Sequence, residues 1–257
     1  MGSSAYNLKR RSEEEKGGRK KRKMEPPTFS DPTALVTFII GKDDNKKTFI
    51  IHKDVVCESS SVLKAAFESE FVEGQTQTYK LEDTTERAFK LLMQWMYAGR
   101  FTVKQFQEDW AEDDEAETSE NWSIIELWVL ADKLCMLSLQ NKAIETLDRI
   151  SNVSVTIFTS EIRYIYESTS SGSPLRRYII AQIALFLSKG QFEWASTQGF
   201  LTKEVLLDVI IFSKENLVKN GLEYSQDHFE VSDYFVEIEN DILFFEQVMK
   251  IGLGKHY

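Results

Sequence analysis

Short apolar runs separated by polar turns mark the first hundred residues, and apolar residues at helical spacing mark most of the rest. Val36–Gly41 has the make-up of a first strand. Asp43-Asp44-Asn45-Lys46-Lys47 then reads as the turn of a hairpin. The run Phe49-Ile50-Ile51-His52-Lys53-Asp54-Val55-Val56-Cys57 predicts a second strand that leads into a short helix. Ser59-Ser60-Ser61 offers a serine N-cap for a helix through Val62-Leu63-Lys64-Ala65-Ala66-Phe67. Thr78-Tyr79-Lys80-Leu81-Glu82-Asp83 alternates as a strand does. Thr84 or Thr85 caps the next helix, whose Phe89, Leu92, Met93, Met96 and Tyr97 recur on one face. Phe49, His52, Phe67, Phe89 and Trp95 are expected to be buried together.

Further along, Ile124, Leu127, Trp128, Ala131, Leu134 and Cys135 form one apolar helix face, and Leu139, Ala143, Leu147 and Ile150 another. Ser173-Pro174 predicts a helix start, with serine as N-cap and proline at the first helical position. Leu175, Tyr178, Ile179 and Leu185 give that helix an apolar face. Thr202 opens another helix, with Val205, Leu206, Val209 and Ile210 on its apolar side. The stretch Gly221–Tyr257 interleaves acids with aromatics. It reads either as a segment that docks into a partner's groove or as a terminal helix closing the chain's own core. Ile242, Phe245, Val248 and Met249 at helical spacing favour the second.

Charge changes this picture at two places. The 257 residues carry a net −10, but residues 1–25 hold nine Lys or Arg against four Glu, so the remainder carries −15. Such an acidic body repels a nucleic-acid backbone and leaves only the tail as a weak candidate for binding one. Residues 1 to about 33 are polar and proline-bounded, and are expected to be disordered. They contain Lys9-Arg10-Arg11 and Arg19-Lys20-Lys21-Arg22-Lys23, separated by seven residues. Clustered cations on an extended chain suit the acidic groove of an import receptor, which predicts a nuclear or nucleocytoplasmic protein. A solvated charged tail, or one that contacts DNA phosphates, is the alternative. The second charged place is Lys104 to Asn121, with eight acids from Glu108 to Glu120. Like charges repel, so an exposed acidic loop is expected there, with Trp110 available to dock.

Candidate chemistry is sparse. His52, His228 and His256 stand far apart, and no zinc-ligand spacing, phosphate loop or nucleophile motif is present. Neither a catalytic residue nor a cofactor or metal site is proposed, and a non-enzymatic chain is expected. Cys57 and Cys135 are the two cysteines; both are expected to be free and buried, in a reducing compartment. The start Met1-Gly2-Ser3-Ser4-Ala5-Tyr6 lacks a signal peptide's apolar core, and the apolar run Tyr178 to Leu187 is too short to span a bilayer.

The ordered set Val36–Gly41, Phe49-x-x-His52-Lys53, Val55-Val56-Cys57, Ser61-x-Leu63, Phe71-x-Glu73-Gly74, Phe89 and Trp95-x-Tyr97-x-Gly99 resembles the BTB/POZ family in its fungal form. Two positions depart from the family pattern. Leu35 stands where many relatives carry an Asp, which removes a partner for His52, and Leu63 stands where many carry Phe. The resemblance implies an α+β fold, a small sheet with flanking helices, over residues 34–150, followed by a mostly helical region over 151–257. On it, Phe49, His52, Phe67, Phe89, Trp95 and Tyr97 define the fold. It also implies a protein-interaction module, a scaffold or an adaptor, with other proteins as partners. A cullin ubiquitin ligase is one such partner, and its contact region would fall around Tyr97–Asn121. Leu175-Arg176-Arg177 resembles a short motif that follows the domain in fungal relatives and names no activity. Relatives that form swapped dimers carry a helix and strand ahead of the first core strand. Here Glu25–Pro32 holds three prolines and only Phe29 as a large apolar residue, so a monomer or weak dimer is expected.

Overall fold

The computed structural model describes residues 29–106, 120–154, 157–220, 226 and 229–238. Among them are three strands, ten α-helices and a few single 3-10 turns. The central strand β1 (Leu35–Ile40) pairs antiparallel with β2 (Lys47–His52) and parallel with β3 (Thr78–Leu81), in the order β2-β1-β3. Alternation decides its faces: Val36, Phe38 and Ile40 point into the core, and Leu35 lies outward at 47% exposure. The expected hairpin turn forms as one 3-10 turn, Asp43–Asn45, entered through Gly41 at φ 86.

Helices α1 (Lys53–Ser59), α2 (Ser61–Phe67) and α3 (Val72–Thr76) lead from β2 to β3. Ser60 caps α2, its hydroxyl accepting from the Leu63 N–H at 3.1 Å while donating to the Leu134 carbonyl at 2.7 Å. Helix α4 (Glu86–Ala98) starts at Thr85, whose hydroxyl accepts from the Ala88 N–H, and stops at Gly99 in the left-handed region. Phe89 from α4 lies against both strands of the hairpin, 5.1 Å from the Phe38 ring and 4.9 Å from Phe49.

Helix α5 (Glu120–Lys133) joins the two halves of the molecule. The predicted face is buried except at Cys135, and so are Ile125, Val129 and Leu130 on its other side, because α4 packs on one flank and α6 (Leu137–Ser154) on the other. Cys135 corrects the expectation of two buried thiols. It occupies the turn between α5 and α6 at φ 52 and is exposed, while Cys57 is half-buried. Glu120 and Asn121 also leave the expected acidic loop. Both are buried in the first turn of α5, and Glu120 pairs with Arg87 at 3.1 Å. Trp110 and the rest of that loop lie outside the described residues.

The C-terminal region is helical as the resemblance implies: α7 (Ile162–Ser168), α8 (Pro174–Phe186), α9 (Lys189–Thr197) and α10 (Lys203–Asn220). Ser173 caps α8, with Pro174 in its first turn. Thr202 accepts from the Val205 N–H at the start of α10. Only part of the predicted α10 face is covered: Val205 is buried, whereas Ile210 is 52% exposed. Arg176, 7% exposed, ties α8 to α7. It donates to the Thr169 hydroxyl at 3.0 Å and to the Tyr166 and Thr169 carbonyls at 2.5 Å, and lies over the Tyr166 ring.

Residues 229–236 return as a strap across α6 and α8. Phe229 and Tyr234 stack and pack on Tyr178, and Val236 exchanges two hydrogen bonds with the Asn141 side chain. Over this stretch the aromatics close the chain's own core, while Ile242, Phe245, Val248 and Met249 lie outside the described residues. Among the described residues no helix is long and apolar enough to cross a membrane.

Candidate interaction surface

The apolar alternation of β1 and β2 places Phe38 and Phe49 side by side on one face, and Phe67 and Phe89 pack over them. Of the six residues expected to define the fold, Phe67 and Phe89 are fully buried. The other four correct only the expectation of burial, since Phe49 and Trp95 still pack against the core. Phe49, His52 and Trp95 are half-buried, and Tyr97 is 44% exposed. In the last turns of α4 Met96 faces the core, while Trp95 lies partly and Tyr97 largely on the outer side.

His52 finds its partner in Tyr97. The Tyr97 hydroxyl lies 2.9 Å from His52 Nδ1 and accepts from the His52 backbone N–H at 3.3 Å. The Phe29 ring meets the imidazole edge-on at 5.4 Å. Tyr97 thus supplies His52 with the polar partner that Leu35 does not offer. Beside this cluster lies an open cleft of about 550 Å³ floored by Phe49, Met93 and Tyr97, with Lys90, Arg100 and Thr102 at its rim. Gln94 holds the Thr102 backbone in place through a 2.9 Å hydrogen bond.

A second feature is the loop that leads from α2 into the single-turn helix α3 and on to β3. Its backbone is held from inside by polar contacts. The Ser69 hydroxyl donates to the Ala66 carbonyl at 2.8 Å and accepts from the Phe71 N–H at 3.2 Å. Gln75 reaches back to the Glu70 carbonyl at 2.8 Å, and Gln77 donates to the Phe67 carbonyl at 3.0 Å. Gly74 is required for this closure, because a Cβ there would stand 1.8 Å from the Ser69 carbonyl oxygen. The closed loop presents Phe71 and Val72 outward at 75% and 69% exposure, the highest values for large apolar residues among those described. Exposed Glu68 and Glu70 flank them. An apolar pair held in solvent on a braced loop is a candidate contact point for another protein. The sequence shows Phe71-x-Glu73-Gly74 as a motif, and its outward direction comes only from the loop's hydrogen bonds.

The predicted import residues Lys9, Arg10, Arg11, Arg19, Lys20, Lys21, Arg22 and Lys23 lie outside the described residues, as do His228 and His256. No cluster of three metal-ligating side chains occurs among the described residues.

Residues 24–151 match the family model of the BTB/POZ domain. The chain is also similar to BTB/POZ domain-containing protein 9 of Bos taurus and of Homo sapiens, each 24% identical over 179 residues that make up 68% of this chain. The rat protein is 23% identical over the same length. The match spans 25% of each relative's length. A matched stretch of that length cannot fit before residue 151, so the likeness extends into the C-terminal helices.

Proposed function

This chain belongs to the BTB/POZ family, and on that premise we propose that it is a non-enzymatic scaffold or adaptor that engages other proteins through the Phe71–Val72 loop. The observation that carries this reading is the outward pair itself, 75% and 69% exposed on a loop that Gly74, Gln75 and Gln77 lock. Burying two large apolar side chains in a partner's pocket contributes roughly 1.5–3 kcal/mol each. The test is affinity capture with the double variant Phe71→Ala, Val72→Ala. Neither side chain is part of the core, so the melting temperature is expected to stay at the wild-type value while captured partners are lost. An unchanged partner set from a folded variant would overturn the reading.

A cullin is the finer reading of the partner. The cleft at the end of α4 favours it, because Tyr97, Arg100 and Thr102 lie in the stretch to which the resemblance assigns the cullin contact. A purified cullin N-terminal region that fails to bind the chain would remove this reading and leave the scaffold one intact. For location, the proposal is nuclear import through Arg19–Lys23. Alanine at these five positions is expected to move a large fluorescent fusion out of the nucleus. If the tail instead serves nucleic acid, its binding falls steeply with salt.

A further inference from the structure

Helix α10 packs on α8 through Val205 and its neighbours, and its opposite side carries an apolar stripe that no other described element covers. Leu207, Ile210 and Ile211 are 53%, 52% and 43% exposed. Their spacing of three and four puts them on one face. The stripe is charged at both ends, with exposed Lys203 and Glu204 before it and exposed Lys214 and Glu215 after it.

The order of these charges selects an occupant. Two copies of α10 laid antiparallel across a two-fold axis bring Leu207 of one against Ile211 of the other, near Ile210. The same operation sets Lys203 opposite Glu215 on both sides of the axis, and Lys214 near Glu204, whose carboxylate already takes the Arg176 guanidinium at 3.2 Å. A two-fold interface must be self-complementary, since each contact occurs twice. A parallel arrangement would set Lys203 against Lys203 and Glu215 against Glu215.

We propose that the exposed face of α10 is the seam of a reversible, two-fold symmetric dimer of this chain. Three apolar residues per copy make a small seam, below the area of a stable dimer. The association is therefore weak and forms at high local concentration, without exchange of strands. It is independent of the Phe71–Val72 surface, which lies in the other half of the chain.

Sedimentation velocity of the full chain from low to high micromolar concentration is the test. The wild type is expected to shift from monomer toward dimer as concentration rises. Ile210→Lys should abolish the shift with an unchanged melting temperature, because the side chain is half in solvent. Lys203→Glu should weaken the association about tenfold, and the double variant Lys203→Glu, Glu215→Lys should restore it, as only a symmetric antiparallel seam predicts. A wild type that stays monomeric throughout overturns the proposal. So does a dimer indifferent to Ile210→Lys. If dimers appear only after residues 239–257 are removed, the stripe belongs to the chain's own terminal segment and the proposal also falls.

Discussion

The sheet half and the helical half of this molecule bury polar groups in different ways. Around β1 the interior is apolar: Val36, Phe38, Ile51, Phe67 and Phe89 pack against one another, and polar side chains such as Gln77 and Lys53 meet it only at its margin, on the Phe67 carbonyl. From α5 onward, side-chain polar groups thread the packing. Arg176 is buried among carbonyls, Tyr166 donates to Asp208 at 2.7 Å, and Gln182 and Tyr178 both reach toward Asp148. The difference extends to the acids. On the sheet side the Asp83 and Glu86 carboxyls are held below their ordinary range by hydrogen bonds from Lys42 and Lys90 at the surface. Burial instead pushes the carboxyls of Glu126, Asp132 and Asp148 up. An apolar interior is specified by periodicity alone, whereas a polar one needs every partner in place.

The largest expected effect lies in the sheet half. Phe89→Ala removes a fully buried ring from between Phe38 and Phe49 and is expected to cost about 3–5 kcal/mol. Trp95, in the last turns of α4, packs on the edge of the core and is only partly enclosed, so Trp95→Ala should cost less, roughly 1–2 kcal/mol. Denaturant unfolding separates the two. Equal losses would mean that the last turns of α4 are covered.

In the helical half, Arg176→Ala leaves the Tyr166 and Thr169 carbonyls unpaired and is expected to cost about 2–4 kcal/mol. Arg176→Lys should recover little of this, since an ammonium lacks the planar fork that spans both carbonyls. Full recovery by lysine would show that charge matters there and geometry does not.

The smallest effect is in pH. A carboxyl with a folded pKa above its unfolded one binds its proton more tightly in the native state, so stability falls as pH rises through that interval. Glu126, Asp132 and Asp148 therefore disfavour the fold at neutral pH, and this penalty is relieved on mild acidification. Asp83 and Glu86 have the opposite sign, but they are exposed and screened by solvent. The melting temperature is expected to rise modestly between neutrality and the upper edge of the carboxylate range. Asp148→Asn should flatten part of that rise. A monotonic fall on acidification would contradict the burial of these groups.

The same contrast explains what the sequence reveals. The strand alternation, the caps at Ser60, Thr85 and Ser173, and the α5–α6 faces are local signals, and the chain obeys them. Tyr97 and Ile210 keep the helical period yet sit in solvent, because a period defines a face without saying how far the neighbouring element extends. Glu120 belongs by composition to an acidic run, but Arg87, on another helix, draws it inside. Leu175-Arg176-Arg177 stands out as a motif, but two adjacent arginines give no sign that the first is buried against Tyr166 and the second is not. Phe71 and Val72 read as ordinary apolar residues until the bonds around Gly74 fix their direction.

The strap has a consequence for the order of events during synthesis. Asn141 and Val236 are 95 residues apart, and their paired hydrogen bonds join α6 to a segment made long after it. Until that segment leaves the ribosome, Tyr178 has neither Phe229 nor Tyr234 against its ring. The sheet half needs nothing so distant and is free to fold first, as N-terminal units commonly do. A nascent chain stopped at residue 220 would therefore carry a finished sheet layer beside an α6–α8 seam still open to chaperones.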